Sequence, residues 1–196
     1  ESYMAQKRVV AGFWSYVHND DEYENGRITR LRERLERAIR FFSGNRDFQI
    51  FQDRKDISWG EKWAERIVTS LDDSVLLFTV VTPSYFASSP CLEEAAAFQK
   101  RQAGLLRDDL ILPIYYLTTG QIEGTDPSAQ NEEAELAQLF RATQYEDWRP
   151  LRDTPETDPA YTKAIERLAQ KAMATLKRGS AIESAAEATP KGTAKP

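Results

Sequence analysis

The sequence predicts an α/β domain, a parallel sheet covered by helices on both faces. Two apolar runs, 8–16 and 74–81, carry almost no charge, as strands buried on both faces do. Stretches with helical spacing alternate with the apolar runs, and the connections are short and rich in Gly, Pro, Ser, Asn and Asp. Strand–helix alternation of this kind builds parallel sheets with right-handed crossovers.

The elements follow in order. The first strand, 8–16, leads into a polar loop over 17–26. Ile28, Leu31, Leu35, Ala38, Ile39 and Phe42 then recur at helical spacing, closed by Ser43, Gly44 and Asn45. A shorter strand over 48–51 ends near Asp53. A loop over 54–60 opens a helix carrying Trp63, Ile67, Val68 and Leu71. The strongest strand, 74–81, is expected at the centre of the sheet and stops at Thr82, Pro83 and Ser84. A helix follows with Tyr85 and Phe86 first, then Cys91 to about Arg101 after Ser88, Ser89 and Pro90. The fourth strand, 110–117, contains Pro113, which has no amide to donate and points to an edge or a bulge. A polar loop over 118–131, a short helix over 132–140 and a brief strand within 143–148 precede a final amphipathic helix on Tyr161, Ile165, Leu168, Ala172 and Leu176.

The length of 196 residues suits one domain. Residues 1–6 read as a lead, with Glu1, Ser2 and Tyr3 a cloning scar before Met4. Residues 7–177 form the domain, and 178–196 lack periodicity and read as a disordered linker or tail. Hydrophobic residues make up 41% and charged ones 29%, a globular and water-soluble composition. The net charge of −5 argues against a domain built to grip nucleic acid, which needs surplus Lys and Arg. One cysteine and one histidine exclude an internal disulfide and a Cys/His zinc site, so no metal is expected and a reducing cytoplasm fits. No apolar run approaches the roughly 20 residues that span a bilayer, and no signal peptide is visible.

The commonest order for five such strands is the flavodoxin-like 2-1-3-4-5, a three-layer sandwich. Its ligand crevice opens at the carboxyl ends of strands 1 and 3. Those ends carry residues 16–21 and 82–94. No Gly-rich phosphate loop follows strand 1, and no Gly-x-Ser-x-Gly elbow is present, so the available groups are carboxylates, hydroxyls, His18 and Cys91. Glu93 and Glu94 fall near an expected helix start at Pro90, and adjacent helical residues point about 100° apart, so only one faces the crevice. An ionised carboxylate there stabilises an oxocarbenium-like centre; alternatively, both carboxylates only complement the helix dipole. His18 fits an acid–base group or a solvated loop residue, and Cys91 a nucleophile or a packing residue. Arg27, Arg30, Arg32, Arg34, Arg37 and Arg40, interleaved with Glu33 and Glu36, fit a solvated helix face or a partner surface. Trp63 suits a core-facing helix position, whereas Trp59, in a loop, suits a cover over a ligand or a partner.

These residues also carry a family resemblance. Phe13, Trp14, Ser15 and Tyr16, followed by His18 and Asp20, resemble the first strand of the TIR (Toll/interleukin-1 receptor homology) domain in its bacterial form. Asp53 to Gly60 with Trp63 is similar to its BB loop. Thr82, Pro83, Tyr85 and Ser88 resemble the segment after its third strand, and Pro90, Cys91, Leu92, Glu93 and Glu94 its Trp-Cys-x-x-Glu. The resemblance covers about 7–177.

It implies the flavodoxin-like fold and cleavage of the nicotinamide–ribose bond of NAD⁺ as substrate, with no other cofactor. It assigns the required glutamate to Glu94. Tyr16, Val17, His18, Ser58, Trp59 and Cys91 are implied to bind substrate. Asp53, Arg54, Lys55, Asp56, Ile57 and Gly60 are implied to form the BB loop that completes a neighbouring copy's site. Implied partners are further TIR copies and a sensor domain beyond the C-terminal linker, in bacterial anti-phage defence. Pro90 stands where the family usually has the Trp associated with cyclised products in some members. Val17 and His18 stand where some members have arginines, which leaves phosphate contacts to Arg27 or Arg30. The alternative is a non-catalytic domain working through homotypic TIR contacts. A nucleoside deoxyribosyltransferase-like enzyme fits the 82–88 and BB-loop motifs less well.

Overall fold

A computed structural model of the chain describes residues 11–52, 75–126 and 131–188. Its elements are β1 (Ala11–Ser15), α1 (His18–Tyr23), α2 (Arg27–Ser43), β2 (Gln49–Phe51), β3 (Val75–Val81), α3 (Pro83–Phe86), α4 (Ser89–Leu105), β4 (Ile111–Tyr115), α5 (Gly120–Glu123), α6 (Asn131–Ala142), β5 (Glu146–Asp147) and α7 (Pro159–Ala188). The five strands form one sheet in the order β2-β1-β3-β4-β5, with every neighbouring pair parallel. This is the flavodoxin-like order expected from the sequence, and β3 is its central strand.

Every residue of β1, β3 and β4 is buried, because helices cover both faces of the sheet. Alternate side chains divide between two apolar layers. Trp14, Leu76, Phe78 and Val80 pack with Ile28, Leu31, Leu35 and Ile39 of α2 and with Tyr161, Leu168 and Ala172 of α7. Phe13, Leu77 and Val81 pack with Cys91, Ala95 and Phe98 of α4 and with Leu136 and Phe140 of α6. Gly12 allows this packing on β1, since a Cβ there would lie 2.7 Å from the Phe78 ring. Gly44, at φ 70°, ends α2 in the left-handed conformation that favours glycine.

The structure corrects several expectations. The loop expected over 17–26 contains α1, which buries none of its residues and so leaves no apolar period to read. The loop expected over 118–131 begins with α5, where Thr119 accepts a hydrogen bond from the Ile122 amide. α7 continues past Lys177 to Ala188, so the first part of the expected tail is helical. Ala181, Ala185, Ala186 and Ala188 favour helix by intrinsic propensity. Pro113 pairs with Thr79 of β3, and β5 pairs with β4 only at Ile114 and Tyr115, so among the described residues no strand pairs with the proline on that side. The loop over 54–60 and the helix around Trp63 lie outside the described residues. Among the described residues no helix is long and apolar enough to cross a membrane.

Candidate functional site

The carboxyl ends of β1 and β3 are held together by short polar contacts. Ser15 and Tyr85 share a buried hydrogen bond of 2.7 Å between their hydroxyls, and the Tyr85 hydroxyl also lies 3.4 Å from the Cys91 carbonyl. The Cys91 thiol donates to the Tyr16 carbonyl at 3.4 Å. Thr82 donates to Asp20 at 2.6 Å, fastening α1 to the end of β3, and its Oγ1 accepts from the Tyr85 amide at 3.3 Å. Ser88 caps α4 by accepting from the Cys91 amide. Burial, with the nearby Cys91 and Glu94, pushes the Tyr85 phenol well above its ordinary pKa, against the opposing effect of the Ser15 hydrogen bond. It therefore stays a neutral link between β1 and α4.

Above this network opens a cleft of about 670 Å³, lined by Tyr16, Val17, His18, Cys91 and Glu94, with Trp14, Asn19, Gln52, Ser88 and Pro90 completing the lining. Its volume lies within the range of about 300–1,000 Å³ usual for small-molecule sites. It lies at the switch point where the chain departs from β1 to either side. The structure thus brings together Glu94, Tyr16, Val17, His18 and Cys91. The other sequence candidates, Asp53, Arg54, Lys55, Asp56, Ile57, Ser58, Trp59 and Gly60, lie outside the described residues.

Glu93 and Glu94 part company here. Cys91, Ala95 and Phe98 turn toward the sheet, and Glu94, between them on the helix, lines the cleft. Glu93, one residue earlier, is exposed and borders a separate depression with Glu132 and Glu135 of α6. The dipole reading of both carboxylates is corrected as well. α4 begins at Ser89, earlier than the sequence suggested, and its first turn holds no acidic residue. Dipole stabilisation falls off within that turn.

Cys91 is buried at the cleft floor with its thiol engaged. The His18 ring packs on the Tyr16 ring, with centroids 4.9 Å apart and planes tilted by 31°. Arg27 and Arg30 do not line the cleft. Arg27 donates to the carbonyls of Leu151 and Thr154 and lies over the Tyr161 ring. Arg30 pairs with Glu156 at 3.0 Å. Both are drawn to the segment before α7, away from the ends of β1 and β3, so the expectation that they supply phosphate contacts is not met. Gln52 was missed by sequence reasoning. It donates to the Tyr16 hydroxyl at 2.9 Å, and nothing in a lone Gln after a short strand signals that role. Among the described residues no group of three or more His, Cys, Asp or Glu side chains gathers to hold a metal.

A family model described as "TIR domain" matches residues 13–151. No curated protein matches the chain. Among solved structures the chain is similar to the TIR domains in "Structure of the activated Roq1 resistosome directly recognizing the pathogen effector XopQ". The identity is 14% and the TM-score 0.42, over 88% of this chain and 99% of that one. The matched segment spans most of the chain, from β1 through the turn after β5, and includes every element that builds the cleft: the chain belongs to the TIR domain family.

Proposed function

We propose that this chain is an NAD⁺ glycohydrolase. The observation that carries the reading is that Glu94, and not Glu93, lines the cleft at the ends of β1 and β3, beside Tyr16, Val17 and His18. As the bond between nicotinamide and ribose C1′ breaks, its electron pair leaves with nicotinamide and the ribose gains oxocarbenium character. The Glu94 carboxylate accepts hydrogen bonds from the ribose hydroxyls and offsets the developing positive charge. Water adds at C1′ and releases a proton, giving nicotinamide and ADP-ribose. No other cofactor or metal takes part.

The BB loop, Asp53 to Gly60, completes the site of a neighbouring copy, with Ser58 and Trp59 against the substrate. Self-assembly then switches the activity on. A sensor domain or protein joined through the chain beyond α7 controls that assembly, and the setting is bacterial anti-phage defence. The family membership supports this reading, because cleavage of NAD⁺ and homotypic assembly are what the sequence resemblance implies.

The test is nicotinamide release from NAD⁺ at high protein concentration or with a crowding agent. Glu94→Ala is expected to lose roughly 100-fold or more in rate, the scale of removing one group that stabilises transition-state charge. Glu93→Ala is expected to retain activity near wild type. Equal rates for wild type and Glu94→Ala would sink the proposal, as would absence of turnover under every assembly condition.

A further inference from the structure

α1 forms part of the cleft wall through His18 and Asn19, yet little in its own sequence supports it as a helix. It is six residues long, each of them at least partly exposed, and Val17 at its N-cap has no side-chain acceptor to offer. A helix below about 12–15 residues is marginal in water, so α1 depends on contacts with the rest of the fold. Carboxylates supply several of them. Asp20 accepts from Thr82 at 2.6 Å, at the end of β3. Asp21 accepts from the Thr29 amide at 2.9 Å and from the Thr29 hydroxyl, which ties α1 to α2. Glu24, at the C-cap, has a side chain only 11% exposed and receives donors from the other half of the sheet. Its Oε2 accepts from the Tyr116 hydroxyl at 2.8 Å, just past β4. Its Oε1 accepts from Arg152 Nε and Nη2 at 2.9 and 2.7 Å, past β5. Asn25 and Gly26, next in the chain, both have left-handed backbone, at φ 54° and 78°, and form the joint to α2.

We propose that α1 is a separately opening wall of the cleft, and that Glu24 is the positioning residue that holds it closed. An element held by polar contacts rather than by an apolar face opens at a lower free energy than the packed core. It also exposes little surface in doing so. Releasing Asp20 from Thr82 and Glu24 from Tyr116 and Arg152 frees α1 to move about the joint at Asn25 and Gly26. The glycine absorbs the change in backbone angles that such a joint needs. The apolar layers on the two faces of the sheet stay packed meanwhile. On the NAD⁺ reading, opening admits substrate and releases product, and closure completes the wall. The opening is a property of the ligand-free chain, and only its part in substrate exchange rests on that reading.

Native-state hydrogen exchange of the ligand-free protein in low urea tests this. The amides of Glu24 and Gly26, which donate to the Asp20 and Asp21 carbonyls, report on α1. The Leu77 amide, which donates from the central strand to the Leu110 carbonyl, reports on global unfolding. The α1 amides are expected to be protected roughly 100-fold less than Leu77, with little dependence on urea. Glu24→Ala is expected to speed exchange in α1 by about tenfold or more. Tyr116→Phe keeps the ring and is expected to speed it several-fold; this variant carries the test if Glu24→Ala does not fold. Ile39→Val, in the core toward the far end of α2, is expected to speed Leu77 several-fold and leave α1 unchanged. The same protection and urea dependence in α1 and Leu77 would overturn the proposal. So would α1 rates that follow Leu77 in Ile39→Val, or that stay at the wild-type value in both Glu24→Ala and Tyr116→Phe. Saturating NAD⁺ is expected to slow α1 exchange in Glu94→Gln, and unchanged rates there would overturn the part in substrate exchange. A protein inert toward NAD⁺ but showing the expected exchange pattern would overturn the glycohydrolase reading and leave the opening wall standing.

Discussion

Ser15 and Tyr85 are separated by 70 positions in the chain, yet their hydroxyls meet at 2.7 Å inside the protein. The contact accounts for two motif residues that sequence reading picks out only by resemblance. Removing the Tyr85 hydroxyl leaves a buried Ser15 hydroxyl without this partner, which costs about 1–3 kcal/mol. Tyr85→Phe should therefore lower the urea midpoint, whereas Tyr85→Phe combined with Ser15→Ala should recover part of the loss, because the two changes act on one contact. Strictly additive losses would show that the pair is not coupled. Glu94 was legible as one of two adjacent carboxylates, and the helical rotation between them required a choice that the resemblance supplied. Gln52 was not legible, since its partners reach it from elsewhere in the chain, Thr29 and Arg32 from α2 and Tyr16 from the end of β1.

Among the elements, the buried strands could be read because burial on both faces leaves an unbroken apolar run, and the long helices because burial of one face leaves a helical period. α1 could not, because polar contacts such as Asp20 to Thr82 rather than an apolar face hold it, and α5 could not, because a single turn with one buried side chain, Ile122, leaves no period. α7 is also held by polar contacts, around Thr175 and Arg178. Asp109, just before β4, receives Arg107 at 2.8 Å and Arg178 of α7 at 2.8 Å, and Arg107 also donates to the Thr175 carbonyl. Burial alone would raise the Asp109 pKa, but the hydrogen bonds and charges of Arg107 and Arg178 outweigh it and hold it below the ordinary value of 3.8. A carboxylate depressed on folding contributes stability above its unfolded pKa and loses it as pH falls through the folded value. Asp109→Asn should thus destabilise by about 1 kcal/mol at neutral pH, a modest amount because Arg178 is largely exposed. The difference from wild type should vanish in acid below the folded pKa. Denaturant titrations at both pH values check this, and a pH-independent difference would contradict it.

For the whole molecule, strand order is what creates the site. Placing β1 between β2 and β3 sends successive connections to opposite sides, and the crevice between them collects α1, the start of α4 and the residue after β2. This much followed from strand–helix alternation and the handedness of crossovers. What the alternation did not contain was which groups meet in the crevice, since that depends on helix rotation and on hydrogen bonds between distant residues. On the proposed function, the charge of Glu94, and not merely its shape, drives cleavage of NAD⁺. Glu94→Gln keeps the shape and removes the charge, so the decisive measurement is NAD⁺ affinity and turnover of this variant beside wild type. Binding is expected within a few-fold of wild type, with kcat lower by roughly 100-fold or more. Turnover at the wild-type rate, or a loss confined to binding, would contradict it.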